Sequence, residues 1–283
     1  MNRRHFLHTA AITGTVAAAT PFLLPKHSFA QAPAAGADGW VSLLNGHDLS
    51  GWYTMLAKSG KGVAEKKNMV AMEEGMLHIM GNFEADGGAE PGYLATYAEF
   101  ENVHIRLEYK WGVKRFAPRT FAKRDNGLLY GLVGPDKVWP TCVECQIEEG
   151  DVGDYFFVNT RGVQDQHANG FFAEGLTEHG WTKPAPAAPA DSAADGIHDS
   201  NIRKIKDGNF ELLDTWNTVE VIWQGDRSAH IVNGRAVNAA SKMEQPDPNH
   251  PGQFIPLTKG KIAIELEFAE IWIRRIEVKS LAS

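Results

Sequence analysis

Beyond residue 40 the apolar positions recur mainly every second residue, the period of a strand with one buried face. The run from Val103 to Trp111 alternates cleanly and places His104, Arg106, Glu108 and Lys110 on one face. Thr141 to Glu148 alternates as well. Val143, Cys145 and Ile147 point one way, and Glu144, Gln146 and Glu148 the other. Leu128 to Leu132 precedes this run across a turn rich in Gly and Pro that ends in Trp139-Pro140, so Asp125 to Asp151 predicts a hairpin. Three long polar side chains on one sheet face are costly if buried without partners. The face therefore meets solvent or lines a polar cleft, with Asn126 and Tyr130 beside it and Trp139 at the rim.

Further strands are predicted over Met69 to Met80 around Gly75, Tyr93 to Tyr97, Trp216 to Trp223, Lys261 to Phe268 and Glu270 to Lys279. Ala229 to Val237 predicts a hairpin with Asn233-Gly234 at its tip. Tyr53 to Lys67 predicts a loop, Lys114 to Arg124 a basic loop, and residues 159–213 long irregular connections that form a candidate lid rather than a second domain. No convincing helical period follows residue 30, and no repeat is evident. Many short strands with turn punctuation predict an all-β sandwich or jelly roll, one domain with long loop insertions.

The N-terminus follows a different pattern. Asn2-Arg3-Arg4-His5-Phe6-Leu7 is a twin-arginine pattern, Thr9 to Leu24 is apolar and small, and Ser28-Phe29-Ala30 is a cleavage site of small residues. Residues 1–30 predict a Tat-type signal, 31–39 a linker and 40–283 the folded domain, delivered to the periplasm or secreted. The apolar run is short and broken by Gly14 and Pro21, which argues against an anchor, and no stable membrane insertion is expected after cleavage. Residues 1–30 carry three of the 28 Lys and Arg and none of the 35 Asp and Glu, so the remaining chain has a net charge of −10. Such an acidic chain without a basic block is a poor partner for nucleic acid or anionic membrane. The two cysteines, Cys142 and Cys145, lie three apart on one strand and face opposite ways, which suits small buried hydrophobes better than a disulfide or metal site.

Leu43-Leu44-Asn45-Gly46-His47-Asp48-Leu49-Ser50-Gly51-Trp52 resembles the Leu-Phe-Asn-Gly-x-Asp-Leu-x-Gly-Trp opening of the DUF1080, or 3-keto-disaccharide hydrolase, family. Later landmarks follow in the family's order: Phe100 through Lys110, Asn126-Gly127-Leu128, Glu144-x-Gln146, Trp216-Asn217, His230-x-x-Asn233-Gly234, Gly260-Lys261-Ile262 and Ile273-Arg274-Arg275-Ile276. The resemblance spans residues 40–279. This chain departs from it in lacking a serine before Gly127, in reading Ile264-Glu265 for Leu-Gln, and in reading Ile-Arg-Arg-Ile for Phe-Arg-Asn-Ile. The resemblance implies a concanavalin A-like jelly roll that acts as a 3-keto-glucoside 1,2-lyase, a 3-keto-2-hydroxy-glucal hydratase, or both.

A sugar ketone at C3 acidifies the C2 proton, so a modest base removes it and the C1–O bond breaks by β-elimination. Such a site needs a base near C2, an electrophile near the C3 oxygen and an acid for the leaving oxygen. The expected catalytic residues are Glu144 or His230 as base, with Lys110 and Arg274 stabilising the enolate. Asn126, Gln146 and Glu108 would orient hydroxyls, Tyr130 would line the cleft, and Trp139 would stack on the ring. For Arg274 and Glu108 a cross-strand ion pair is an equal expectation. No cofactor is identified by the sequence; a divalent cation held by Glu and His residues could replace the cationic electrophile, although no ligand spacing identifies a metal site. Two alternatives stand beside this reading: a non-catalytic lectin-like protein, and a conventional two-carboxylate glycoside hydrolase. Glu144 and Glu148 would lie roughly 13 Å apart along a strand, too far for a retaining pair, whereas Glu144 with Glu108 or Glu265 stays open.

Overall fold

Two antiparallel sheets pack face to face in a computed structural model that describes residues 38–84, 88–165, 175–183 and 202–281. The expected signal and linker, apart from Asp38 and Gly39, lie outside these residues, as do 166–174 and 184–201 of the expected lid. The ten-stranded sheet runs β11 (Arg161–Gln164), β17 (Arg235–Pro246), β16 (Arg227–Val232), β15 (Asn217–Gln224), β7 (Val103–Arg115), β20 (Ala269–Ser280), β5 (Met76–Ile79) and β4 (Val70–Glu73). β1 (Val41–Ser42) lies beside β20, and β18 (Phe254–Pro256) beside β17. The eight-stranded sheet runs β14 (Ile202–Lys204), β10 (Tyr155–Val158), β9 (Thr141–Glu148), β8 (Asp125–Val133), β19 (Gly260–Leu266), β6 (Gly92–Phe100), β2 (Trp52–Leu56) and β3 (Gly60–Lys61). A small hairpin, β12 (Leu176–Thr177) with β13 (Gly180–Trp181), completes the set. The protein is an all-β jelly-roll sandwich.

Strand parity decides what fills the space between the sheets. Ile105, Leu107, Tyr109 and Trp111 of β7 meet Val143, Cys145 and Ile147 of β9 and Leu128 and Tyr130 of β8 in one core. The Asn233-Gly234 tip takes positive φ at both residues, 47° and 76°, as a two-residue hairpin between right-twisted strands requires. Both cysteines are free and buried, Cys145 in the main core and Cys142 under the opposite face of the same sheet.

Two expectations are corrected. Trp52 to Leu56 is a strand, because Trp52 and Leu56 fill the main core while Tyr53 and Met55 pack on the far face of the sheet. Residues 159–213 are not irregular throughout: β11 and β14 extend the two sheets, and the β12–β13 hairpin places Leu176 and Trp181 against Ala229 and Ala239.

Candidate active site

The eight-stranded sheet carries acidic side chains in rows on the face turned away from the core. Ladder pairing sets Glu148 opposite Asp125, and Asp125 opposite Glu267. One step along, Gln146 pairs with Gly127, and Glu265 lies beside Gly127, one residue on from the Ile264–Leu128 pair. Glu144 pairs with Leu129 and, on its other side, with Phe156. The five acids, Gln146 and Phe156 line a cleft of about 240 Å³ together with Arg119, Trp139 and Val158.

Gly127 leaves a bare floor in the middle. A Cβ there would sit 2.7 Å from Glu144 Oε1 and 2.7 Å from Glu265 Oε2. The two carboxyl oxygens therefore lean over one point and lie no more than twice that distance apart. Both side chains are buried.

Walls come from two loops. The β8–β9 connection carries Trp139, and its Asp136 accepts hydrogen bonds from Tyr53 Oη at 2.5 Å, Tyr93 Oη at 3.2 Å and Lys61 Nζ at 2.8 Å. The basic loop after β7 is tied down at both ends. Phe116 packs against Phe83 and donates its N–H to Phe268, while Arg124 Nε donates to Glu149 at 2.9 Å. Between these ties Arg119 reaches into the cleft, 2.7 Å from Asp125, 2.8 Å from Glu148 and 3.3 Å from Glu267.

Arg119 meets three of the five cleft carboxyls, and the proton affinities of all five respond to the crowding. Burial first, then the charges of Asp125 and Glu267, push Glu144 well above the ordinary carboxylate value. Burial and then Glu144 do the same to Glu265. Asp125 is pushed up to about 8 by burial and by Glu267, against the pull of Arg119. Glu148 and Glu267 are also raised, burial leading in both. Two carboxyls this close resist losing both protons, so the Glu144–Glu265 pair favours holding one proton between them. Among the described residues no group of three or more His, Cys, Asp or Glu is arranged to hold a metal ion, so no step is assigned to one.

The residues singled out in the sequence fall into three places. Glu144, Gln146 and Trp139 come together in the cleft. Tyr130 and His230 lie in the interior between the sheets, where Tyr130 donates to His230 Nε2 at 3.0 Å and His230 Nδ1–H donates to the Gly153 carbonyl at 3.0 Å. Burial pulls His230 down to about 3, so it stays neutral. Asn126 points off the opposite face of β8 from Gly127 and donates to the Glu265 carbonyl at 2.6 Å. Lys110, Arg274 and Glu108 sit on the far face of the ten-stranded sheet, across the core from the cleft. There Arg274 pairs with Glu108 at 2.6 Å and stacks on Trp216, as does Lys110. Strand parity is the cause: residues alternating with Tyr109 and Ile273 must leave the core on the side away from β9. Asp125, Arg119, Glu148, Glu265 and Glu267 complete the cleft. Of these, Glu148 was on the polar face that the alternation marked, and Glu265 was the acid standing where the resembled family reads Gln.

The chain belongs to the family of 3-keto-alpha-glucoside-1,2-lyase-like domains, whose model matches residues 39–279. Among solved structures it is similar to a Parabacteroides distasonis protein provisionally assigned as a glycosyl hydrolase, with 15% identity over 87% of this chain and 95% of that one and a TM-score of 0.48. It is also similar to the carbohydrate binding module CBM66 of Bacillus subtilis, with 10% identity over 81% and 96% and a TM-score of 0.46. A search of curated proteins gave no match. No helix among the described residues is long and apolar enough to cross a membrane.

Proposed function

We propose that this protein cleaves 3-keto-glycosides by β-elimination, with Glu144 and Glu265 as the acid–base pair. The observation that carries this is the convergence of their oxygens over the bare floor at Gly127. A C1–C2 edge placed there has a carboxyl group on either side. One carboxylate takes the C2 proton while the other carboxyl gives its proton to the departing C1 oxygen. Electrons from the C2–H bond form the C1–C2 double bond, and those of the C1–O bond leave with the alcohol. Arg119, whose Nε–H has no acceptor, donates a hydrogen bond to the enolate oxygen at C3. Trp139 and Phe156 supply apolar ring faces for the sugar. Water adds to the resulting glucal by the same proton transfers in reverse. Export through the twin-arginine route, with action in the periplasm or outside the cell, belongs to the same proposal.

The same separation favours a second reading. Retaining glycosidases hold two carboxyls about 5–5.5 Å apart, and the Glu144–Glu265 pair falls within that distance. Incubation of the protein with a 3-keto-glucoside and, separately, the parent glucoside distinguishes the two. Elimination gives a 2-hydroxy-glucal from the keto-sugar alone, lost in Glu144→Gln and Glu265→Gln by about a hundredfold or more. Cleavage of the parent sugar transfers the pair to conventional hydrolysis, and binding of either sugar without product leaves a lectin-like role.

A further inference from the structure

Two buried acceptors lining the cleft lack donors: Gln146 Oε1 and Glu265 Oε2. Both side chains are more than nine-tenths buried, at 6% and 4% exposed. The Gln146 amide already donates to Asp125 at 3.2 Å. The guanidinium of Arg119 is turned to the neighbouring row of Asp125, Glu148 and Glu267, and its remaining Nε–H has no acceptor. Glu144 Oε1 leans over the same floor as Glu265 Oε2. Oxygen acceptors thus crowd the hollow over Gly127, while the terminal nitrogens of Arg119 are taken by the neighbouring row. A sugar hydroxyl brings one proton and no charge to such a place. A protonated amine brings two or more N–H donors and a charge opposite to that of the ionised partner in the Glu144–Glu265 pair.

We propose that the hollow over Gly127 selects ligands that carry a protonated amine, as a ring nitrogen or an amino substituent of a sugar, held by Glu144, Glu265 and Gln146. The sugar part rests on the carbohydrate reading above; the amine part rests on the unpaired acceptors alone.

Calorimetry on the unaltered protein tests it with two probes of one shape. 1-Deoxynojirimycin and 1,5-anhydroglucitol carry equivalent hydroxyls and differ at the ring position, protonated nitrogen in the first and oxygen in the second. The amine is expected to bind roughly tenfold tighter or more at pH 7. In Glu265→Gln, whose melting temperature is checked alongside, that ratio is expected to fall toward one. Equal affinity of the two probes overturns the amine preference and leaves the carbohydrate reading standing. Binding of neither overturns both. A preference that survives Glu265→Gln places the amine elsewhere and overturns the assignment. Ca²⁺ or Mn²⁺ binding in the absence of sugar, abolished by the same substitution, also overturns it by making the hollow a metal site.

Discussion

At the scale of single residues, Gly127 decides what the cleft is. Its hydrogen leaves room where any side chain would meet Glu144 and Glu265 at 2.7 Å. Gly127→Ala is therefore expected to displace both carboxyls and lower kcat/KM by about a hundredfold, as misplacement by an ångström does. The atoms it meets are ends of flexible side chains, so the melting curve should stay close to that of the parent. Asp125 gives a second test. Its proton affinity rises from 3.8 to about 8 on folding. Between those values the folded protein holds a proton that the unfolded chain has released, so stability falls as pH rises across the window. Asp125→Asn should flatten the decline in melting temperature between pH 5 and 9; an unchanged slope would remove Asp125 as its source. Glu90 runs the opposite way. Lys67 and the Ser59 hydroxyl pull it from 4.5 down to about 2 against burial, so its contribution is complete above 4.5 and is lost as pH falls toward 2.

At the scale of elements, the loop after β7 works as an arm. Its ends are tied by Phe116 and Arg124, and its middle delivers the Arg119 guanidinium to the cleft. Arg119→Ala leaves Asp125, Glu148 and Glu267 facing one another without a cation. The expected cost is roughly 1–3 kcal/mol, larger at pH 9 than at pH 5, where more of the carboxyls are protonated. Thermal melts at the two pH values read this directly. Strands are where the sequence was most legible. The alternation in β9 separated Val143, Cys145 and Ile147 from Glu144, Gln146 and Glu148, and both faces stand as that pattern implies. Period alone says which residues share a face, but not which sheet a strand joins. β7 alternates as cleanly as β9, yet its polar face looks out on the far side of the molecule, and Lys110 and Glu108 went with it. Arg119 was hidden for another reason. A loop has no period, so nothing local shows that one of its several basic residues turns inward.

At the scale of the whole molecule, two sheets close over a core that is not wholly apolar. Tyr130, Ser228, Tyr155 and His230 form a hydrogen-bonded group within it, with His230 stacked on Tyr155 at 3.6 Å. His230 entered the expected chemistry through the landmark His230-x-x-Asn233-Gly234; the fold makes it a packing residue with both nitrogens engaged. His230→Ala should destabilise the protein by about 2–4 kcal/mol, through the cavity and the polar partners left unpaired. Turnover per folded molecule should be retained, and a loss of kcat without loss of stability would return His230 to the mechanism.

The rows of acids also have a history in time. Asp125, Glu144 and Glu148 leave the ribosome together, but Glu265 and Glu267 follow more than a hundred residues later, on and just beyond a strand that must insert between β8 and β6. Until that insertion, Glu144 has no Glu265 opposite it, and Asp125 lacks the neighbour that most raises its proton affinity after burial itself. Long-range pairing of this kind is slow to form. On the proposed function, turnover during refolding is expected to return only as the eight-stranded sheet closes, which refolding followed by activity and by tryptophan fluorescence together would check.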